Sequence, residues 1–315
     1  MTDSFSVAIN AVAPFLIYLA IGALIIRMKL SDRPFMDRLN NLAFRVFFPF
    51  MMFNNVYSAK PTDMPSLKLI LMGVLGLLIL LALLFLTVPR IVKENRRRGV
   101  VMQGIFRSNF IIFGMSLTTF VFGAEKASIV GVMVLIMISL FNVASVVVLQ
   151  IYSGEGKIQP KALLLGLIRN PLLQGCVLGL VFFAFQLRLP AFLSSTVSAM
   201  AGAATPLAMI TLGAALRFEE MGKNRRIIAT VLSIRLLLLP LVMMIISYAI
   251  GLRGVELFLI LMIYGTPIAT SSYTMAQNMG GDGELAGQLL FVSTVASLFT
   301  IFLFIFTMSY IGLIP

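Results

Sequence analysis

Arg107-Ser108-Asn109, with Gly114 close behind, interrupts a run that is otherwise apolar. A guanidinium, a hydroxyl and a carboxamide in succession suit the reversible holding of a negatively charged group by charge and hydrogen bonds. A second stretch, Tyr264-Gly265-Thr266-Pro267, with Ser271 and Ser272 after it, breaks another apolar run. It offers hydroxyls and a proline that cannot continue a helix. Asn54 and Asn55 form a third polar insertion, facing either an internal cavity or the outer interface. Histidine is absent, and the 12 acidic residues fall in loops or at the ends of apolar runs. A buried carboxylate proton relay therefore has no carrier at depth. There is no phosphate-binding loop, metal-ligand cluster or Ser–His pair, and hydrolysis would have no base. These residues point to binding and carrying rather than to an enzyme, with no cofactor required.

The elements that hold these residues are set by composition. The chain has 315 residues, 60% hydrophobic and 11% charged, with a mean hydropathy of +1.03. That is too little charge to cover a soluble domain. Apolar runs long enough for helices of about 20 residues recur from end to end. They predict an all-α polytopic membrane protein with ten transmembrane helices at roughly 7–28, 37–58, 67–91, 100–122, 127–151, 171–187, 191–216, 226–250, 255–278 and 284–309. A short interfacial helix is expected near 161–168. The first run follows Asp3 with no Lys or Arg before it, so it reads as a retained span rather than a cleaved signal.

Net charge is +12, but 16 of the 24 Lys and Arg cluster in the loops after spans 1, 3, 5 and 7. Among them are Arg27, Arg33, Arg96, Lys157, Lys161 and Arg217. A nucleic-acid partner is thereby disfavoured, and positive loops stay cytoplasmic, which places both termini outside. Arg45 and Arg235 are expected near cytoplasmic span ends, snorkelling. Pro49 and Pro206 are expected to bend spans 2 and 7. The lone Cys176 and the many Met and Phe are packing material.

An offset of 157 residues relates the two halves. It pairs Pro14 with Pro171, Gly22 with Gly179, Pro49 with Pro206, Gly123 with Gly280 and Glu125 with Asp282. Residues 1–157 and 158–315 then hold five spans each, a 5+5 inverted repeat, the architecture of secondary transporters. The broken spans 4 and 9 fall in matching places and are expected to cross, restarting near residues 111 and 268. Ser108 or Asn109 would cap one restart, and Thr266 the other with Pro267 at the first helical position. Two helix N-termini facing one cavity attract an anion. The expected substrate site is Arg107, Ser108, Asn109, Thr266, Pro267, Ser271 and Ser272, with Asn54. The crossover rests on Asn109, Gly114, Gly265 and Pro267. No metal site is read, but Na⁺ remains open as a coupling ion, with Asp282 and Glu125 as its acidic candidates.

The stretch FRSNFIIFGMSLTTFVFGAE resembles the span-4 signature of the auxin efflux carrier family. RNPLLQGCVLGL and ATPLAMITLGAAL resemble its span-6 and span-7 signatures, and YGTPIATSSYTMAQNMGGD its span-9 signature. Met115-Ser116 departs from the proline the family often has after the span-4 glycine. The likeness covers essentially the whole chain, without the long central loop of the plant hormone exporters. It implies a compact bacterial member of the cytoplasmic (inner) membrane, with a fold shared with bile acid–sodium symporters. Spans 1, 2, 6 and 7 would form a scaffold, dimeric in many relatives, and spans 3–5 and 8–10 a transport domain with an elevator stroke. The implied function is transport of a small organic anion. A Na⁺-coupled symporter of bile-acid type and a non-transporting membrane sensor or receptor are the alternatives.

Overall fold

The computed structural model describes residues 2–58, 65–123, 126, 128–153, 165, 168–215 and 222–315. Among these residues every regular element is helical. In chain order they are α1 (Thr2–Arg27), α2 (Arg33–Leu42), α3 (Phe48–Tyr57), α4 (Leu67–Ile91), α5 (Asn95–Phe106), α6 (Phe110–Phe122) and α7 (Ser128–Tyr152). There follow α8 (Pro171–Ala184), α9 (Ala191–Ala215), α10 (Arg225–Ser233), α11 (Leu239–Ala249), α12 (Gly254–Gly265), α13 (Ser271–Asn278) and α14 (Gly283–Tyr310). Glu125, Lys157, Lys161 and Arg217 lie outside the described residues, as does almost all of the interfacial helix expected at 161–168.

Among the described residues five stretches are long and apolar enough to cross a membrane: α4, residues 129–152 of α7, α9, the α10–α11 run and α14. The chain is a multi-pass helical membrane protein. Its burial pattern fits hydrocarbon as solvent. On α4, Leu69, Gly73, Leu77, Leu84 and Val88 form a buried stripe at helical spacing, while Leu75, Leu78, Ile79 and Leu86 are exposed. Polar side chains are instead gathered inside, Arg107, Asn142 and Arg235 among them. Local sequence starts several helices in the ordinary way. Asp32 accepts from the Phe35 N–H at 2.8 Å, Ser66 from Leu69 at 3.2 Å, and Asn170 from Leu172 at 3.0 Å just before Pro171.

Two helix pairs cross with almost no side chain between them. A Cβ on Gly22 of α1 would run into the carbonyl oxygen of Ile210 on α9, and one on Gly213 into that of Leu19. On α8, Gly175 and Gly179 meet the carbonyls of Pro49 and Phe53 of α3 in the same way. In lipid, where apolar burial drives little association, such close backbone approach supplies the packing.

Among the described residues two π-turns bend the path. One, Ala43–Phe47, joins α2 to α3; the other, Ile234–Leu238, joins α10 to α11. Each stands two residues before a proline, Pro49 or Pro240, whose missing N–H leaves the carbonyl four residues back unbonded and lets the turn widen. Pro206, expected to bend its span, sits inside the unbroken α9. Each π-turn also carries an arginine, and the two differ in fate. Arg45 is exposed, whereas Arg235 is 0% exposed. The expectation that Arg235 snorkels is therefore corrected: the π-turn and the packing of α12 against it turn the side chain into the interior.

Candidate functional site

The helix stops at Phe106 and resumes at Phe110, and again stops at Gly265 and resumes at Ser271. The two gaps meet. Ser108 and Ile268 form an isolated antiparallel bridge, and the Asn109 N–H donates to the Pro267 carbonyl at 2.9 Å. Irregular backbone inside a membrane protein needs internal partners, and each gap supplies them to the other. The expected restart at Pro267 is corrected. Thr266 closes α12 with an extended backbone (φ −75°, ψ 159°), and its hydroxyl donates back to the Met262 carbonyl at 2.9 Å. The residue before a proline is pushed out of the α region. The pairing of Pro267 and Ile268 with the other gap then keeps the chain extended, so α13 begins only at Ser271. In the first gap Asn109 holds the N-cap position of α6, but its side chain makes no cap hydrogen bond.

This crossing has two electrically different sides. On one, the carbonyl ends of α5 and α12 converge on Arg235. Its guanidinium donates to Thr266 at 2.9 and 3.1 Å, to Ile105 at 3.1 Å, and to Phe106 and Ile263 at 3.4 Å. Each helix C-terminus carries about −0.5 elementary charge, so two of them match one guanidinium. On the other side, the residues leading into α6 and the start of α13 line a cavity of about 240 Å³.

Arg107, Ser108 and Asn109 form one wall of that cavity, and Ala269, Thr270 and Ser271 another. Asn54 and Asn55 of α3, Thr205 of α9 and Asn142 of α7 add polar groups, and Ile138 and Phe141 an apolar side. Arg107 is 2% exposed. It donates to Asn142 Oδ1 at 2.8 Å and to Ser271 Oγ at 2.7 Å, and it touches Met275 Sδ. All three partners are neutral. Asn142 is fixed in turn by donating to Met52 Sδ. No carboxylate stands among the described residues of the lining.

Of the residues expected at the site, Arg107, Ser108, Asn109, Ser271 and Asn54 line this cavity; Thr266, Pro267 and Ser272 do not. Gly265 packs against Pro240 and Leu261, and Gly114 against Phe110, so neither faces it. Asp282 is also elsewhere. It caps α14 by accepting from the Leu285 N–H at 3.0 Å and pairs with Arg97 at 3.0 Å. Four polar contributors escaped the sequence reading: Thr205, Thr270, Asn142 and Arg235. Asn142 is an amide in the middle of an apolar run, and that position alone could have flagged it. Arg235 sits ten residues into a segment that begins with Arg225 and Arg226, and its depth was misjudged.

A second cavity, about 400 Å³, lies among α2, α5, α9, α13 and α14, with Arg33, Asp37, Arg96 and Gln277 on its walls. A polar cluster adjoins it. Asn40 Oδ1 accepts from Thr274 Oγ1 at 3.0 Å and from Thr211 Oγ1 at 3.4 Å. Asn40 Nδ2 donates to Gln277 Oε1 at 3.3 Å, and Gln277 Nε2 to Asp37 Oδ1 at 2.8 Å. Asn40, Thr211 and Thr274 are all buried. Along α2–α3 and along α9, the cluster residue falls in sequence between those lining the two cavities.

A helical membrane protein with interrupted helices crossing beside a cationic cavity has the parts of a carrier, and comparison with known proteins agrees. The family model described as membrane transport protein matches residues 7–305. An uncharacterized transporter of Methanothermobacter thermautotrophicus is similar to this chain at 27% identity over 274 residues, covering 82% of this chain and 85% of the relative. The chain therefore belongs to the membrane transport protein family, the auxin efflux carriers whose motifs it bears, and is a transporter rather than an enzyme.

Proposed function

We propose that the chain carries a small organic anion, a carboxylate, bound in the cavity at the crossing. One observation carries this reading: Arg107 is a buried cation on an open cavity wall, and its partners are all neutral. A charge at this depth is costly without a counter-charge. The N-termini of α6 and α13 add about +0.5 each, so the cavity wall carries roughly two uncompensated positive charges. The substrate's carboxylate is the counter-charge. Ser108 Oγ, buried on the same wall, has no hydrogen-bond partner among the described residues and is available to that anion.

The architecture that would move this site is a ten-span inverted repeat. Three pairs of equivalent features support it. The offset that relates Gly22 to Gly179 also relates Ile210 to Phe53, so the two helix crossings are the same contact made twice. Gly123 and Gly280, another pair at that offset, both hold the left-handed backbone only glycine adopts freely (φ 84° and 78°), just past α6 and α13. Both restarting helices also follow a gap. The scaffold in this reading is α1, α2–α3, α8 and α9, tied by the glycine crossings and joined to a second copy to form a homodimer. The remaining helices make the transport domain, which slides as an elevator. Both termini face outward from a bacterial cytoplasmic membrane.

Purified protein in liposomes tests this with uptake of acetate, benzoate, succinate and citrate under imposed gradients. Uptake of at least one is expected, and Asn109→Ala should abolish it while leaving the protein folded. Binding of these anions without net flux would instead favour a sensor or receptor.

A further inference from the structure

Arg235 is surrounded as a bound cation is. Its five hydrogen bonds go to four main-chain carbonyls, drawn from the C-terminal ends of two helices that approach from different parts of the chain. Rings of backbone carbonyls are what replace the hydration shell of a permeating or coupled cation. Unwound carbonyls and half-helix C-termini at a crossing are where a transporter holds its Na⁺. Here that cage is filled from within.

The filling is structural rather than incidental. The π-turn Ile234–Leu238 aims the side chain, and Pro240, which widens that turn, also packs against Gly265 beside the end of α12. No acidic side chain pairs with Arg235 among the described residues. The charge match is instead with the two helix ends, about −0.5 each. Emptying the cage would leave two negative ends facing each other and unscreened.

We propose that Arg235 is a tethered cation occupying the carbonyl cage at the crossing, so that transport by this chain needs no monovalent metal ion there. This rests on the transporter reading above and deepens it. Arg235 is a positioning residue: it holds the two gaps in register, and the gaps present Arg107 and Asn109 to the anion.

The test has one arm independent of transport. In Arg235→Ala the vacated cage should take up free guanidinium. Millimolar guanidinium chloride, far below denaturing levels, should raise the melting temperature of that variant by about 2–4 °C over matched choline chloride and leave the wild type unmoved. In liposomes the variant should carry benzoate or succinate roughly tenfold or more slowly, with guanidinium restoring most of the loss. Wild-type uptake should be equal in sodium and choline. The proposal is overturned if wild-type uptake requires sodium, if Arg235→Ala transports normally, or if guanidinium stabilises variant and wild type alike. Should the variant fail to insert, the sodium-for-choline exchange on the wild type decides alone. Should the wild type carry none of acetate, benzoate, succinate and citrate, the transport reading fails, and the melting arm still reports on the cage.

Discussion

Arg107 and Arg235 are both buried guanidiniums at one crossing, and their surroundings give them opposite tasks. Arg235 is satisfied by carbonyl ends; Arg107 is held by neutral groups and left facing a cavity. Asn142, by accepting from Arg107 at 2.8 Å, fixes where that charge points. Replacing it with Ala removes one hydrogen bond to a charged group, a loss of about 1.5–3 kcal/mol. Asn142→Ala should therefore raise the KM for the carried anion roughly tenfold or more while kcat falls much less. Equal losses in both would mean a structural role instead. The polar triplet was legible in the sequence because three successive polar residues are costly in an apolar run unless they meet partners inside the protein. Thr266 was misread because a Thr-Pro pair fits a helix start as readily as a helix end. Only the partner gap, distant in sequence, decides between them. Depth was the other illegible quantity: nothing local tells an exposed Arg45 from an internal Arg235.

At the scale of elements, helix positions followed from hydrophobic run length, and the gaps from where polar residues interrupt it. The π-turns did not, since a proline inside an apolar run is compatible with a bend, a bulge or an unbroken helix such as α9 around Pro206. The polar cluster around Asn40 joins three elements, α2, α9 and α13, beside the larger cavity, and on this account it seals the crossing from it. Asn40→Ala should open that seal. With Cys176 replaced by Ser, a cysteine at position 271 on the crossing-cavity wall can be probed with a membrane-impermeant maleimide. Labelling from one face of the membrane only is expected with Asn40 present, and from both faces in Asn40→Ala. Labelling unchanged by the substitution would show that the cluster is not the seal. The glycine crossings make a further claim. Gly22→Val and Gly179→Val should damage folding alike, each by about 1–3 kcal/mol or more, since each wedges a side chain against a neighbouring backbone carbonyl. Melting curves in detergent that differ widely between the two would weaken their equivalence.

For the whole molecule, the charges divide the labour. Most of the 24 Lys and Arg lie between the apolar runs, and among the described residues Arg107 and Arg235 are spent inside on the crossing. Class and family were readable from composition and four motifs because a bilayer imposes long apolar helices and because interruptions in them stand out. The identity of the proposed anion was not, since a cavity of about 240 Å³ with one guanidinium, several amides and an apolar side suits many carboxylates. Charge at position 107 is the feature on which the rest depends. The most direct measurement compares carboxylate uptake in liposomes by wild type, Arg107→Lys and Arg107→Gln, with melting curves to confirm folding. Uptake should persist at a reduced rate in the lysine variant and fall by about two orders of magnitude in the glutamine variant, in line with losing a charge-assisted contact. Glutamine at 107 carrying carboxylates as well as arginine does would contradict the anion site.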